Sequence, residues 1–124
     1  MTLTLANPTV DGGGSYTWTG KIWLPTYTQI SGNQNNSISE GTQFSKFTDN
    51  NSRIKRIHAM CAANNQYCID NGYAKGKAWN YWESSAGPSY SENSRRVSSN
   101  GNPDADNSAY LGRNGVVPCI RVPR

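Results

Sequence analysis

The chain has little of what usually announces a function. Its 124 residues include one histidine, three cysteines and two methionines, and only 16% are charged. Nothing approaches the ~20 consecutive apolar residues that a membrane-spanning helix needs, so no membrane insertion is expected. The opening "MTLTLANPTV" has no basic segment and no extended apolar stretch, and is not read as a signal peptide. "DGGGS" (11–15) is glycine-rich but lacks the lysine and following helix of a phosphate loop. Twelve basic against eight acidic residues give a net charge of +4. The basic residues are scattered apart from "RIKR" (53–56) and "RR" (95–96). A nucleic-acid-binding domain carries a denser basic stripe, so no nucleic-acid partner is expected. The mild positive charge suits solubility or a preference for acidic glycans.

The reactive residues form no complete site. His58 stands alone on a predicted helix beside Arg56, and no local motif supplies a serine and a carboxylate for a triad. His58 and Cys61, with Cys68 and Cys119, are off the usual zinc spacing. Glu83, Glu92, Asp104 and Asp106 could furnish a glycosidase pair, but they read as solvated loop acids. In "NPDAD" (102–106), Asn102, Asp104 and Asp106 alternate in a way that suits calcium. No second acidic cluster follows, so a turn is the expectation. No enzyme, metal or other cofactor is expected, with calcium as the alternative.

What is present is aromatic and polar. Hydrophobic content is 35%, yet there are four Trp and seven Tyr, which disordered chains lack. One folded domain with polar surface loops fits that balance. Thr2–Leu5 alternates as a strand that Pro8 ends, and "DGGGS" is a linker or an internal loop. The working division is an N-terminal strand and linker, 1–15, and a domain, 16–124. "YTWTGKIW" (16–23) alternates again. Thr26 and Gln29 form a capping box, so a short helix should start at Thr26 and stop at Ser31-Gly32. Residues 33–43 read as a polar loop, and "FSKF" (44–47) offers two aromatic anchors.

Asp49 or Asn50 caps a second helix over 52–63, with Ile54, Ile57 and Cys61 on one face. Residues 79–85 and a stretch before Asn100-Gly101 read as strands, 103–115 as mostly loop, and 116–122 as a last strand. Pro118 gives that strand an edge position or a bulge. The fold class is α+β, with short helices, a small antiparallel sheet and long irregular loops.

Two stretches, "KIWLPTYTQISGNQNNSISEGTQFSKFTDNNSRIKR" (21–56) and "YWESSAGPSYSENSRRVSSNGNPDADNSAYLGRNGVVPCIRV" (81–122), resemble a domain of uncharacterised function. That domain is common in tail-associated and surface proteins of gut phages, prophages and bacteria. Its relatives read Trp-Leu-Pro-Ser-Tyr-Thr-Glu, then "EGSQ", an "RIK"-like helix, a Trp-containing strand and a terminal "GV-x-P" strand. The C-terminal half also resembles lectin-like adhesin tips, and both groups are related to the C-type-lectin fold. Residues 57–80 depart from the pattern.

The resemblance implies a C-type-lectin-like scaffold displaying variable loops, in some relatives diversified by a retroelement. The partner would be a host-surface protein or glycan. The location would be a phage tail or fibre, or an extracellular surface, within a homo-oligomeric assembly. The last strand of such a fold packs near a helix, which implies a disulfide from Cys61 or Cys68 to Cys119. Three reduced, buried thiols are the rival reading.

Rigid aromatics mixed with short amides and hydroxyls suit a recognition surface. The candidate ligand-binding residues are Trp79, Tyr81, Tyr90, Asn93, Arg95, Asn100, Asn102, Asp104, Asn107 and Tyr110. Strict alternation sends Trp82 and Ser84 one way, Tyr81 and Glu83 the other. The expected core is Trp82 with Trp18, Trp23, Leu24, Ile54, Ile57, Val97, Val117 and Ile120. The expected function is non-enzymatic adhesion. The alternatives are a structural virion or tail component and, less favoured, a carbohydrate-active enzyme.

Overall fold

The computed structural model describes residues 1–57, 66, 70, 72, 76–109 and 114–123. The alternating start forms β1 (Thr2–Ala6), which pairs antiparallel with β2 (Ser15–Thr19) from Thr2 opposite Thr19 to Ala6 opposite Ser15. Leu3 and Leu5 point inward from this hairpin. Its connection is a 3-10 turn (Thr9–Asp11) followed by Gly12, Gly13 and Gly14, all at positive φ. That backbone conformation is cheap only for glycine. "DGGGS" is therefore the loop of a hairpin.

A two-residue strand, β3 (Ile22–Trp23), leads into α1 (Tyr27–Ser31). The capping box at Thr26 and Gln29 is formed, and the helix ends at Gly32 in the left-handed conformation. The following loop closes a tight turn: Asn35 and Ile38 exchange backbone hydrogen bonds across Asn36 and Ser37, both at positive φ. Phe44 and Phe47 lie 5.8 Å apart, ring centre to ring centre, and Phe47 is buried.

The expected second helix is a single turn, α2 (Asn50–Arg53), capped by Asp49 and Ser52. Ile54 is already extended, and Lys55–Arg56 form β4, paired with β5 (Ala78–Trp79). The Tyr81 hydroxyl donates to the Arg53 carbonyl, occupying a group that a longer helix would use. The remainder of the predicted helix, with His58 and Cys61, lies outside the described residues.

β6 (Tyr81–Ala86), β7 (Asn93–Val97) and β8 (Ala105–Ser108) make an antiparallel three-stranded sheet, with a register shift between Trp82 and Ala86. β8 occupies four residues of the stretch expected to be mostly loop. The free edge of β6 is met by Gly115 at one end, bonded to Asn80 and Trp82, and by the Pro25 carbonyl at Ser84. The terminal segment pairs over only two residues, β9 (Cys119–Ile120), with β3 as its partner.

Among the described residues, two apolar clusters fill the interior. Ile30, Phe47, Tyr81 and Val97 form one; Leu3, Leu5 and Trp23 form the other, and Phe44 packs against both. Two core assignments are corrected. Trp82 is only half-buried, on the opposite face of β6 from Tyr81, and Ile120 is 63% exposed. The phase of β6 is set by polar residues, because Glu83 and Ser85 accompany Tyr81 inward. Trp18, Leu24, Ile54, Ile57 and Val117 are half-buried, while Trp23 and Val97 are in the core as expected. The architecture is α+β: short helices, small antiparallel sheets and long connecting loops.

Candidate functional site

The "WLPTYTQI", "EGTQ" and "ESS" stretches converge on one buried polar centre. Glu40 is fully buried, and its carboxylate accepts from the Ala6 N–H (2.9 Å), the Asn35 amide (3.3 Å) and the Ser85 hydroxyl (2.5 Å). It therefore ties β1 and the 33–43 loop to β6. Its own backbone is held by α1: Thr28 Oγ1 accepts from the Glu40 N–H, and Thr26 Oγ1 donates to its carbonyl. Gln29 Oε1 accepts from both Trp23 Nε1 and the Thr26 N–H. Ser85 Oγ also accepts from the Tyr27 N–H. From "RIKR", Arg53 donates to the Ile30 and Phe47 carbonyls and to Asn50.

Glu83 sits among these groups in a different condition. It is 1% exposed, and neither carboxylate oxygen has a hydrogen-bond partner among the described residues. Burial pushes its pKa well above the usual carboxylate range; the Arg95 and Arg53 charges oppose this, and Glu40 and Asp104 add to it. Burial also raises Glu40, against its donors from Ser85, Ala6 and Asn35 and the charge of Arg95. Two buried acids thus share Arg95, and only one has donors. A bare carboxylate without donors is far more costly to bury than a neutral acid. The negative charge belongs on Glu40 and the proton on Glu83.

Arg95 links this centre to the surface. Its Nε donates to Asn35 Oδ1 (2.6 Å), and its guanidinium lies 4.1 Å from the centre of the Tyr27 ring. The Tyr27 hydroxyl donates to Asp104 Oδ1 (2.6 Å). Burial first, then the Asp104 carboxylate, raises the Tyr27 phenol above its ordinary value. Asp104 belongs to the 98–104 loop, which has its own ties. The Ser98 N–H donates to the Asn102 carbonyl, and the Gly101 N–H to the Ser98 carbonyl. Asn100 Oδ1 accepts from Ser98 Oγ and the Asn102 N–H, and Asn102 Oδ1 from the Asp104 N–H. Asn80 Oδ1 accepts from the Ser99 N–H. Gly101 is buried at φ +86°, where a Cβ would overlap the Asn50 carbonyl.

The ten candidate ligand-binding residues do not form one patch. Tyr81 is a correction: it is core, with its hydroxyl on the Arg53 carbonyl. Arg95 is likewise buried in the polar centre. Trp79, Asn100, Asn102 and Asp104 gather where β6 begins and the β7–β8 loop turns, with Lys77 over the Trp79 ring at 5.0 Å. Tyr90, 60% exposed, is at the far end of β6, roughly 17 Å away along a six-residue strand. Asn93 and Asn107 are half-buried in β7 and β8, Asn93 bonding Asp106 and Ser108. Tyr110 lies outside the described residues.

Glu83, placed among solvated loop acids by sequence, is sealed inside, which is a second correction. Glu92 and Asp104 are exposed and Asp106 half-buried. Cys119 is a free, half-buried thiol whose pKa burial raises, and its two candidate partners, Cys61 and Cys68, lie outside the described residues. Among the described residues no group of three His, Cys, Asp or Glu is arranged to hold a metal.

The whole chain, residues 1–124, matches the family described as a domain of unknown function, DUF6273. It belongs to that family. No curated protein and no solved structure shows significant similarity to it. In this DUF6273 domain, the stretches that stand out in sequence build the interior. Glu40, Asn35, Ser85 and Tyr27 were not among the candidate residues. The capping box at Thr26 and the lone glutamate of "EGTQ" inside a neutral loop were the signals available for them.

Proposed function

We propose that this DUF6273 domain is a non-enzymatic recognition module with a C-type-lectin-like scaffold. Its 98–104 loop and the adjoining Trp79 would present the binding surface. The observation that carries this reading is the loop's preorganisation. It has no regular structure, yet backbone bonds, Asn side chains and the Tyr27–Asp104 bond fix it from several sides. A loop ordered in advance loses less entropy on binding. Short amides and hydroxyls beside an indole suit a host-surface protein or glycan. The resemblance to tail-associated and adhesin domains supports a phage tail, fibre or cell-surface location. The non-enzymatic reading is supported by the sealing of Glu40 and Glu83 from substrate.

Binding to a glycan array and to a panel of bacterial cells tests the proposal. Trp79→Ala and Asn100→Ala should abolish binding with the fold retained, and Tyr90→Ala should leave it intact. Wild-type binding by the first two would overturn the assignment.

A second reading has its own observation. Ile22 and Ile120 face each other across β3 and β9 at 64% and 63% exposure, and Val116 and Val122 are also exposed. Such an apolar face suits subunit packing in a structural virion or tail component. Concentration-dependent assembly that Ile22→Lys and Ile120→Lys eliminate, without any ligand bound, would favour it.

A further inference from the structure

The buried acid lies on the inward face of β6 beside the strand that carries the inward-facing Arg95, and two consecutive contacts lead from Arg95 through Tyr27 to the surface loop. Glu83 lies on the inward face of β6 with no donor to either oxygen. The charged groups acting on it come from every surrounding element: Arg95 from β7, Glu40 from the 33–43 loop, Asp104 from the 98–104 loop and Arg53 from α2. Arg53 is fastened to the Ile30 and Phe47 carbonyls and to Asn50. Among the described residues the Arg95 side chain makes one hydrogen bond, from Nε to Asn35, and otherwise rests on the Tyr27 ring. Tyr27 in turn holds Asp104.

We propose that Glu83 is a proton-operated latch for the 98–104 loop. Uncharged, it leaves Arg95 seated on Tyr27, with Tyr27 bonded to Asp104. Ionised, it is a buried charge with no donor among the described residues, and the guanidinium best able to move is that of Arg95. Drawing Arg95 toward Glu83 uncovers the Tyr27 ring and frees the hydroxyl that fixes Asp104. The proton leaves to solvent, and the contacts that change are those of Arg95 with Tyr27 and of Tyr27 with Asp104.

The direction with pH follows. The folded state keeps the Glu83 proton where the unfolded chain has released it. This contribution to stability is complete below the ordinary glutamate range. It falls as pH rises, until the folded-state group itself ionises. Over that interval the folding constant of the wild type should drop about tenfold per pH unit relative to Glu83→Gln. Glu40, also raised by burial, adds a slope of the same sign that both proteins share.

The test is a pH titration of the full chain followed by NMR. The side-chain carboxyl carbon of Glu83 should remain in its protonated position through the ordinary carboxylate range. When it shifts, at higher pH, the amides of Asp104–Asp106 and the Tyr27 ring should shift with the same midpoint. Titration of Glu83 within that ordinary range would overturn the proposal. So would a high titration of Glu83 that leaves the 98–104 amides still. Thermal unfolding of Glu83→Gln against pH adds an independent readout, and the wild-type titration decides alone should that variant not fold. Every readout is conformational, so failure here leaves the recognition proposal standing, and a failed binding screen leaves the latch testable.

Discussion

Glu40 and Glu83 show how donors, more than burial, decide what a buried acid does. Both are sealed, but Glu40 has three donors from three parts of the chain, and Glu83 has none. Replacing Glu40 by alanine would strand the Ala6 N–H, the Asn35 amide and the Ser85 hydroxyl without solvent. Each orphaned buried group costs about 1–3 kcal/mol. Glu40→Ala should therefore lose about 3–5 kcal/mol in urea-induced unfolding, after partial relaxation. Glu40→Gln, which keeps one acceptor oxygen, should lose less. Gly101 makes a comparable case in the backbone. Its positive φ and its contact with the Asn50 carbonyl leave no place for a methyl group. Gly101→Ala should destabilise by about 1–3 kcal/mol or more. It should also disturb the amides of α2 together with those of the loop, a pairing that a purely local effect would not produce.

At the scale of elements, the local signals were legible and the tertiary ones were not. Thr26/Gln29 and Asp49 announced two helix starts, because capping is read within four residues. The end of the second helix was set by Tyr81, far away in sequence, and by β4 finding β5. The phase of β6 was misread for a related reason. Alternation correctly separated Tyr81 and Glu83 from Trp82 and Ser84. Hydrophobicity then placed the tryptophan inside, whereas this interior is built on hydrogen bonds and takes Glu83 and Ser85. The candidate site suffered the same loss: a span continuous in sequence, 79–107, is divided between the two ends and the interior of a sheet.

The tight turn at Asn36–Ser37 also escaped notice within its polar loop. Both central residues are at positive φ, the geometry that Asn-Gly satisfies best. Ser37 carries a Cβ in that region at a cost of roughly 1 kcal/mol. Ser37→Gly should thus raise stability by about 0.5 kcal/mol once the greater freedom of the unfolded chain is deducted. A lower urea midpoint would contradict this.

For the molecule as a whole, the question is whether the first fifteen residues are an appendage or part of the fold. Their sequence, a short strand followed by three glycines, is compatible with either a linker or a loop inside the domain. β1, however, supplies Leu3 and Leu5 to one of the two apolar clusters. It also contributes five residue pairs to the hairpin with β2 and, through Ala6, a donor to Glu40. Burial of two leucines contributes about 1.5–3 kcal/mol each, and the orphaned Glu40 acceptor costs about 1–3 more. The sum, about 4–9 kcal/mol, approaches the 5–15 kcal/mol of total stability typical of a domain. A chain beginning at residue 16 would also expose β2 along its whole length as an unpaired edge. We therefore expect residues 16–124 to show no cooperative thermal transition and poor amide dispersion by NMR. A native-like spectrum from that fragment would show that β1 is dispensable and that the second apolar cluster closes without it.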